Sequence, residues 1–234
     1  MTMRGMRNSA DLKAGLGLQA YGFVAATLAL TVLGTTVIVR QLDKLTNPFF
    51  PPTMLEDDAD RSKARVGSGR PLIDAFEEDS YAGVWRGMRE PSLYQWSKPP
   101  PTDLVKAIRF TWVPSFHRPI VVRIDWLVGG AVRLTTVRAE GTGWGDRNKG
   151  DGRRVVRMLS PSERIALAEV MTSTQAFSGP DEGLLVGPDG SNWIFEATAP
   201  RIYHYEAEWS PQGQRREAGL FMLGLTGWNL EPVY

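Results

Sequence analysis

"DGSNWIFEATAPRIYHYEAEWSP", Asp189 to Pro211, reads as two strands joined by a turn, and how its two alternations face each other decides where the domain's side chains go. Period two places Trp193, Phe195 and Ala197 on one face of the first strand, and Tyr203, Tyr205, Ala207 and Trp209 on one face of the second. A connection of odd length would bring those aromatic faces together against a core as cross-strand pairs. His204, Glu206 and Glu208 then project from the opposite face, joined by Glu196, Asn192 and the apolar Ile202. A histidine among carboxylates has the ligand types for zinc or a hard cation. A polar row with several carboxylates is also what a solvated sheet face shows, and no metal site is assigned to it.

Outward from this hairpin the same period continues. "AIRFTWVPSF" (107–116), "RPIVVRIDWLVGG" (118–130) and "AVRLTTVRAEG" (131–141) read as successive strands of an antiparallel meander, punctuated by Pro114, Pro119 and the Gly129-Gly130 pair. "GTGWGDRNKGDGRR" (141–154) is a glycine-rich hairpin loop. It lacks the order of a phosphate-binding loop, and no cofactor is assigned. "RRVVRMLS" (153–160) is a further strand, after which Ser160 can cap a helix, Pro161 takes its first position and Glu163 closes the capping box. Ile165, Leu167, Ala168 and Met171 supply that helix's apolar stripe, and "REAGLFMLGLTGW" (216–228) is a final helix. The expected fold of residues 102–234 is α+β: an antiparallel sheet of about five or six strands with two helices packed on one face.

Ahead of this domain, residues 14–39, Ala14 to Val39, carry no charge. At about 1.5 Å per residue, a helix of that length spans a hydrocarbon layer of roughly 30 Å. The expectation is a single transmembrane helix. Arg4, Arg7 and Lys13 precede it and Arg40 and Lys44 follow it, so residues 1–13 are placed in the cytoplasm and residues 102–234 in the periplasm of a bacterial inner membrane. Gly22 and Ala26 at small-xxx-small spacing, with Thr27, Thr31 and Thr35 at i, i+4, form a face that another membrane-spanning subunit could approach.

Residues 40–101 read as a Pro-rich, charged linker. Phe49-Phe50 is expected as an interfacial anchor to the lipid bilayer. A short amphipathic helix is expected near 71–88, with Pro71 at its first position and Leu72, Phe76, Val84 and Met88 at helical intervals. Pro99 to Pro101 suggest an extended spacer and a boundary near residue 101. Tyr81, Trp85, Tyr94 and Trp96 need a surface to pack on, either the chain's own domain or a partner subunit.

Composition removes several function classes. Lys+Arg of 27 against Asp+Glu of 26, mixed along the chain, leaves no footprint for nucleic acid. The absence of cysteine removes disulfides, thiolate metal sites and a cysteine nucleophile. His117, in "SFHRP" beside Ser115 and Arg118, is the second of two histidines. A hydrolytic centre would need His117 and His204 to meet, with Asp125 or Glu206 orienting an imidazole. No G-x-S-x-G elbow accompanies them, and no catalytic role is assigned to His117, His204 or Glu196.

"RFTWVPSFHRP" (109–119), "DGSNWIFE" (189–196) and "YHYEAEWSP" (203–211) together resemble a group of uncharacterised bacterial exported proteins. The group carries R-F-x-W-x-x-S-F-H-x-P early, and D-G-x-x-W-x-x-E, Y-H and W-S-P late. The resemblance covers roughly residues 105–228 and implies export without implying an activity. His117, Glu196 and His204 match it. Ala207 and Glu208 depart from it, where an acidic-basic pair usually precedes the Trp.

The expected function is a non-enzymatic, single-pass accessory subunit of a larger inner-membrane complex, photosynthetic or respiratory, with its soluble domain capping the periplasmic side. The rivals are a membrane-anchored periplasmic hydrolase or metal-dependent enzyme using His117 and His204, and a periplasmic ligand-binding or sensing module.

Overall fold

Strands "IRFTWV" and "SNWIFE" are buried at nearly every position rather than every second one, which requires a cover on both faces of the sheet. The computed structural model describes residues 47–55, 73–141, 151–177, 189–230 and 232–234, and it shows that double cover. The expected membrane span, with Gly22, Ala26, Thr27, Thr31 and Thr35, lies outside the described residues. Among the described residues no helix is long and apolar enough to cross a membrane.

Six strands form one antiparallel sheet: β1 (Leu104–Pro114), β2 (Ile120–Leu127), β3 (Val132–Ala139), β4 (Asp151–Met158), β5 (Ser191–Ala199) and β6 (Ile202–Trp209). Their order is β4-β3-β2-β1-β5-β6, so the expected meander runs from β1 out to β4 and the β5-β6 hairpin joins its inner edge. The α+β class is thereby observed.

On one face lie α3 (Pro161–Ser173) and α4 (Gly213–Gly224). They cover a core of Ile108, Phe110, Trp112, Val122, Leu134, Trp193 and Phe195. These are the two expected helices. Ser160 and Glu163 form the expected capping box, with Pro161 in the first turn. Arg157 holds the Glu163 carboxylate with both terminal nitrogens, at 3.0 and 2.7 Å, while the Ser160 amide donates to it at 2.8 Å. Those donors lower its pKa to about 2. Because the folded value is depressed, the stabilisation is present above the ordinary value and is lost as pH falls through about 2. In an NMR titration Glu163 will titrate near that value, and Arg157→Ala will return it toward the usual carboxylate range. In α4, Gly219 lies so close to the Trp193 and Phe110 rings that a Cβ would overlap them. Glycine there sets how near the helix approaches the sheet.

The other face carries a layer that sequence reading assigned to the linker. Residues 49–55 and α1 (Ala75–Gly87) pack on Val113, Val121, Val137, Ile194 and Tyr205, and the single turn α2 (Leu93–Trp96) packs beside them on Leu104 and Ala107. Three expectations change as a result. The helix begins at Ala75, capped by Asp74 and closed by Glu77, not at Pro71, because the Asp74 side chain accepts from the Glu77 amide at 2.7 Å. Val84 and Met88 are buried as expected, whereas Phe76 is exposed. Phe49 and Phe50 are buried in the domain, each with its ring centroid 5.6 Å from that of Trp85, instead of facing a lipid interface. The expected boundary near residue 101 does not separate two units, since Pro48–Tyr234 is one compact unit. Tyr81, Trp85 and Tyr94 are buried against the chain's own sheet, and Trp96 is half-buried beside Leu93 and Leu104.

The hairpin register also differs. Ala199 pairs with Ile202 across a two-residue turn in which Arg201 adopts φ 66°. An even connection reverses the expected pairing, because a shift of one residue moves every side chain to the other face. Trp193, Phe195 and Ala197 therefore sit opposite Glu208, Glu206 and His204. Tyr203, Tyr205 and Trp209 share the other face with Thr198, Glu196 and Asn192.

Candidate functional site

The register splits the expected cluster in two. His204, Glu206 and Glu208 remain on one face of the edge strand β6, where α4 supplies a residue that sequence reading missed. Arg215 pairs with Glu206 at 2.8 Å and with Glu208 at 2.6 Å, and the other Glu206 oxygen contacts His204 Nε2 at 2.8 Å. Phe177 packs edge-on against the His204 ring at 5.7 Å. One guanidinium thus neutralises both carboxylates proposed as ligands, which explains how Glu206 is buried on an edge strand. Among the described residues no group of three or more metal-ligating side chains converges.

His117 lies beyond the end of β1, its ring 6.4 Å from Trp112 and 5.6 Å from Tyr234. His204 is opposite Ala197, which pairs with Ile108. Trp112 is four residues past Ile108, roughly 13 Å along the strand, and β6 is two spacings from β1, roughly 10 Å. The two imidazoles therefore do not share a reacting centre. Asp125, the expected orienter, faces the opposite side of the sheet and binds Arg123 and Arg133, each at 3.0 Å.

Glu196 belongs to that opposite face, under the α1-α2 layer. It is fully buried, accepting from Arg109 Nε at 2.5 Å and from the Tyr203 hydroxyl at 2.9 Å. The Arg109 guanidinium lies 4.1 Å from the centroid of the Trp85 ring and donates to the Pro91 carbonyl at 2.7 Å. Alongside, Glu90 bridges Arg123 and Arg154, and Arg154 also donates to the Met88 carbonyl. Register builds this lattice: Arg109 pairs with both Arg123 and Glu196 across neighbouring strands. Burial pushes the Glu196 carboxyl above its ordinary value, while Arg109 and Tyr203 oppose that rise. Burial and the adjacent Glu196 together keep the Tyr203 hydroxyl protonated far above its ordinary value.

Sequence reading singled out Glu196 but not Arg109, Glu90, Arg123 or Arg154. A signal for two of them was present, since an arginine inside "IRFTWV" or "VVRIDW" must find a carboxylate if its strand is covered on both sides. Chemically the lattice is a fastener. Its carboxylates are held by guanidinium groups and its arginines reach the backbone of residues 88–91, so it ties the α1-α2 layer to the sheet.

A cleft of about 510 Å³ opens beside this layer, lined by Ser97, Lys98, Pro99, Pro100, Pro200 and Arg201. Lys98 lies over the Tyr94 ring at 4.0 Å and donates to its hydroxyl. No protein-family model and no curated protein matches this chain.

Proposed function

We propose that the protein is a non-enzymatic, single-pass accessory subunit of a bacterial inner-membrane complex. Residues 14–39 cross the membrane beside other membrane-spanning subunits, and the α+β domain lies on the periplasmic side. One observation carries the non-enzymatic part of this reading: the carboxylates best suited to chemistry already hold arginines, Glu206 and Glu208 through Arg215 and Glu196 through Arg109. The uncharged run of residues 14–39, with its small and hydroxylated face, supports attachment to neighbouring helices. Extraction of the full chain in mild detergent, followed by affinity capture and size analysis, is the test. Recovery in a defined complex with membrane-spanning partners is expected, and recovery solely as a monomer would refute the assignment.

A further inference from the structure

Of the nine large apolar side chains exposed among the described residues, five lie at one end of the sheet. That end is formed by the start of β1, the β2-β3 turn, the end of β4 with the start of α3, and the β5-β6 turn. Hydrogen bonds join these pieces: the Val128 amide donates to the Asp103 carbonyl at 2.8 Å, Arg164 to the Gly130 carbonyl at 3.2 Å, and the Arg201 amide to the Ser97 carbonyl at 3.0 Å. From this end project Val105 and Met158 together with Val128, Ile165 and Ile202, the last three 67%, 61% and 62% exposed. Isolated apolar residues on a surface need no explanation, but several on adjoining turns mark a contact surface.

Charge indicates what that surface meets. Lys98, Lys106, Arg164 and Arg201 are exposed around the same end. The flanking carboxylates are already paired, Asp103 with Arg133 at 3.8 Å and Glu163 with Arg157 at 2.7 Å. Among the described residues, the opposite end mixes the exposed cations Arg118 and Arg153 with the exposed carboxylates Glu140 and Asp189. Apolar tips surrounded by cations suit a surface that is oily inside and anionic at its boundary.

We infer that this end of the domain docks on an anionic lipid surface, with Val128, Ile165 and Ile202 entering the headgroup layer and Lys98, Lys106, Arg164 and Arg201 meeting lipid phosphates. The inference rests on the surface of the described domain and stands apart from the accessory-subunit reading.

Because the chain has no cysteine, a single introduced one labels uniquely. The full chain carrying Val128→Cys or, as an opposite-end control, Phe116→Cys would bear a fluorophore there. Each would be reconstituted into phosphatidylcholine vesicles with brominated acyl chains, with or without phosphatidylglycerol. The expected result is several-fold stronger quenching at position 128 than at position 116 when phosphatidylglycerol is present. Raised salt, or Lys98→Glu with Arg201→Glu, should reduce it. Equal quenching at the two positions, quenching indifferent to lipid charge, or protection of position 128 only by a co-purifying protein would each overturn the proposal.

Discussion

Glu196→Ala is expected to destabilise the domain by about 3–5 kcal/mol, because it leaves the Arg109 guanidinium buried without its counter-charge. Equilibrium unfolding of the full chain in urea, followed by tryptophan fluorescence, measures this. Tyr203→Phe removes one hydrogen bond to the same carboxylate and should cost less, about 1–3 kcal/mol. Replacing the pair together, Arg109→Met with Glu196→Leu, should recover most of the loss, because an apolar pair of similar volume leaves no charge to desolvate. A double variant as unstable as Glu196→Ala would show that the two groups do not act as a pair. The pH dependence has a definite sign. Since burial raises the folded-state pKa of Glu196, the folded chain binds that proton more tightly than the unfolded chain. Its share of stability therefore declines as pH rises from the ordinary carboxylate range toward the raised value, and that slope should vanish in Glu196→Ala.

Trp85→Ala is the second large effect, expected at about 3–5 kcal/mol. Trp85 is fully buried, stacks with Phe49, receives the Arg109 cation on its face and donates its indole N–H to Thr111 at 2.9 Å. Its loss empties the centre of the α1-α2 layer. Besides a lower unfolding midpoint, the variant should show faster proteolysis between Arg86 and Arg89, since the cavity loosens the packing of Phe49, Phe50, Val84 and Met88 between the layer and the sheet. The outcome separates two roles for this residue. If Trp85 acted on a partner subunit, truncation would reduce complex yield while leaving the isolated chain's stability unchanged.

Several elements were legible in the sequence because their determinants are local. The helix at Ser160-Pro161-Ser162-Glu163 has cap, first-turn proline and reciprocal carboxylate within four residues, and it forms as read. The strands carry their period with them, and Gly129-Gly130, at φ 91° and 86°, turns the chain where the pair stands. The sheet's edge-to-edge order was not legible, because β1 and β5 are separated by nearly a whole domain's length and nothing in either strand names the other.

The hairpin from Asp189 to Pro211 shows where this boundary falls. Its alternation fixes which residues share a face within each strand, but the number of residues in the turn decides which face of one strand meets which face of the other. That one-residue difference moved Glu196 away from His204 and placed it beneath Trp85 with Arg109 and Tyr203. Arg215 reached Glu206 and Glu208 from a helix that follows the strand in sequence and folds back over it.

By itself, the sequence determined an uncharged N-terminal run, an antiparallel β-rich domain and the caps of its helix at 160, since hydropathy, period and capping act over a few neighbouring residues. Only tertiary structure decided that residues 48–55 and 73–97 complete the domain and that its buried charges pair with one another across the sheet. Burial and ion pairing depend on what lies across the sheet, which no single strand encodes.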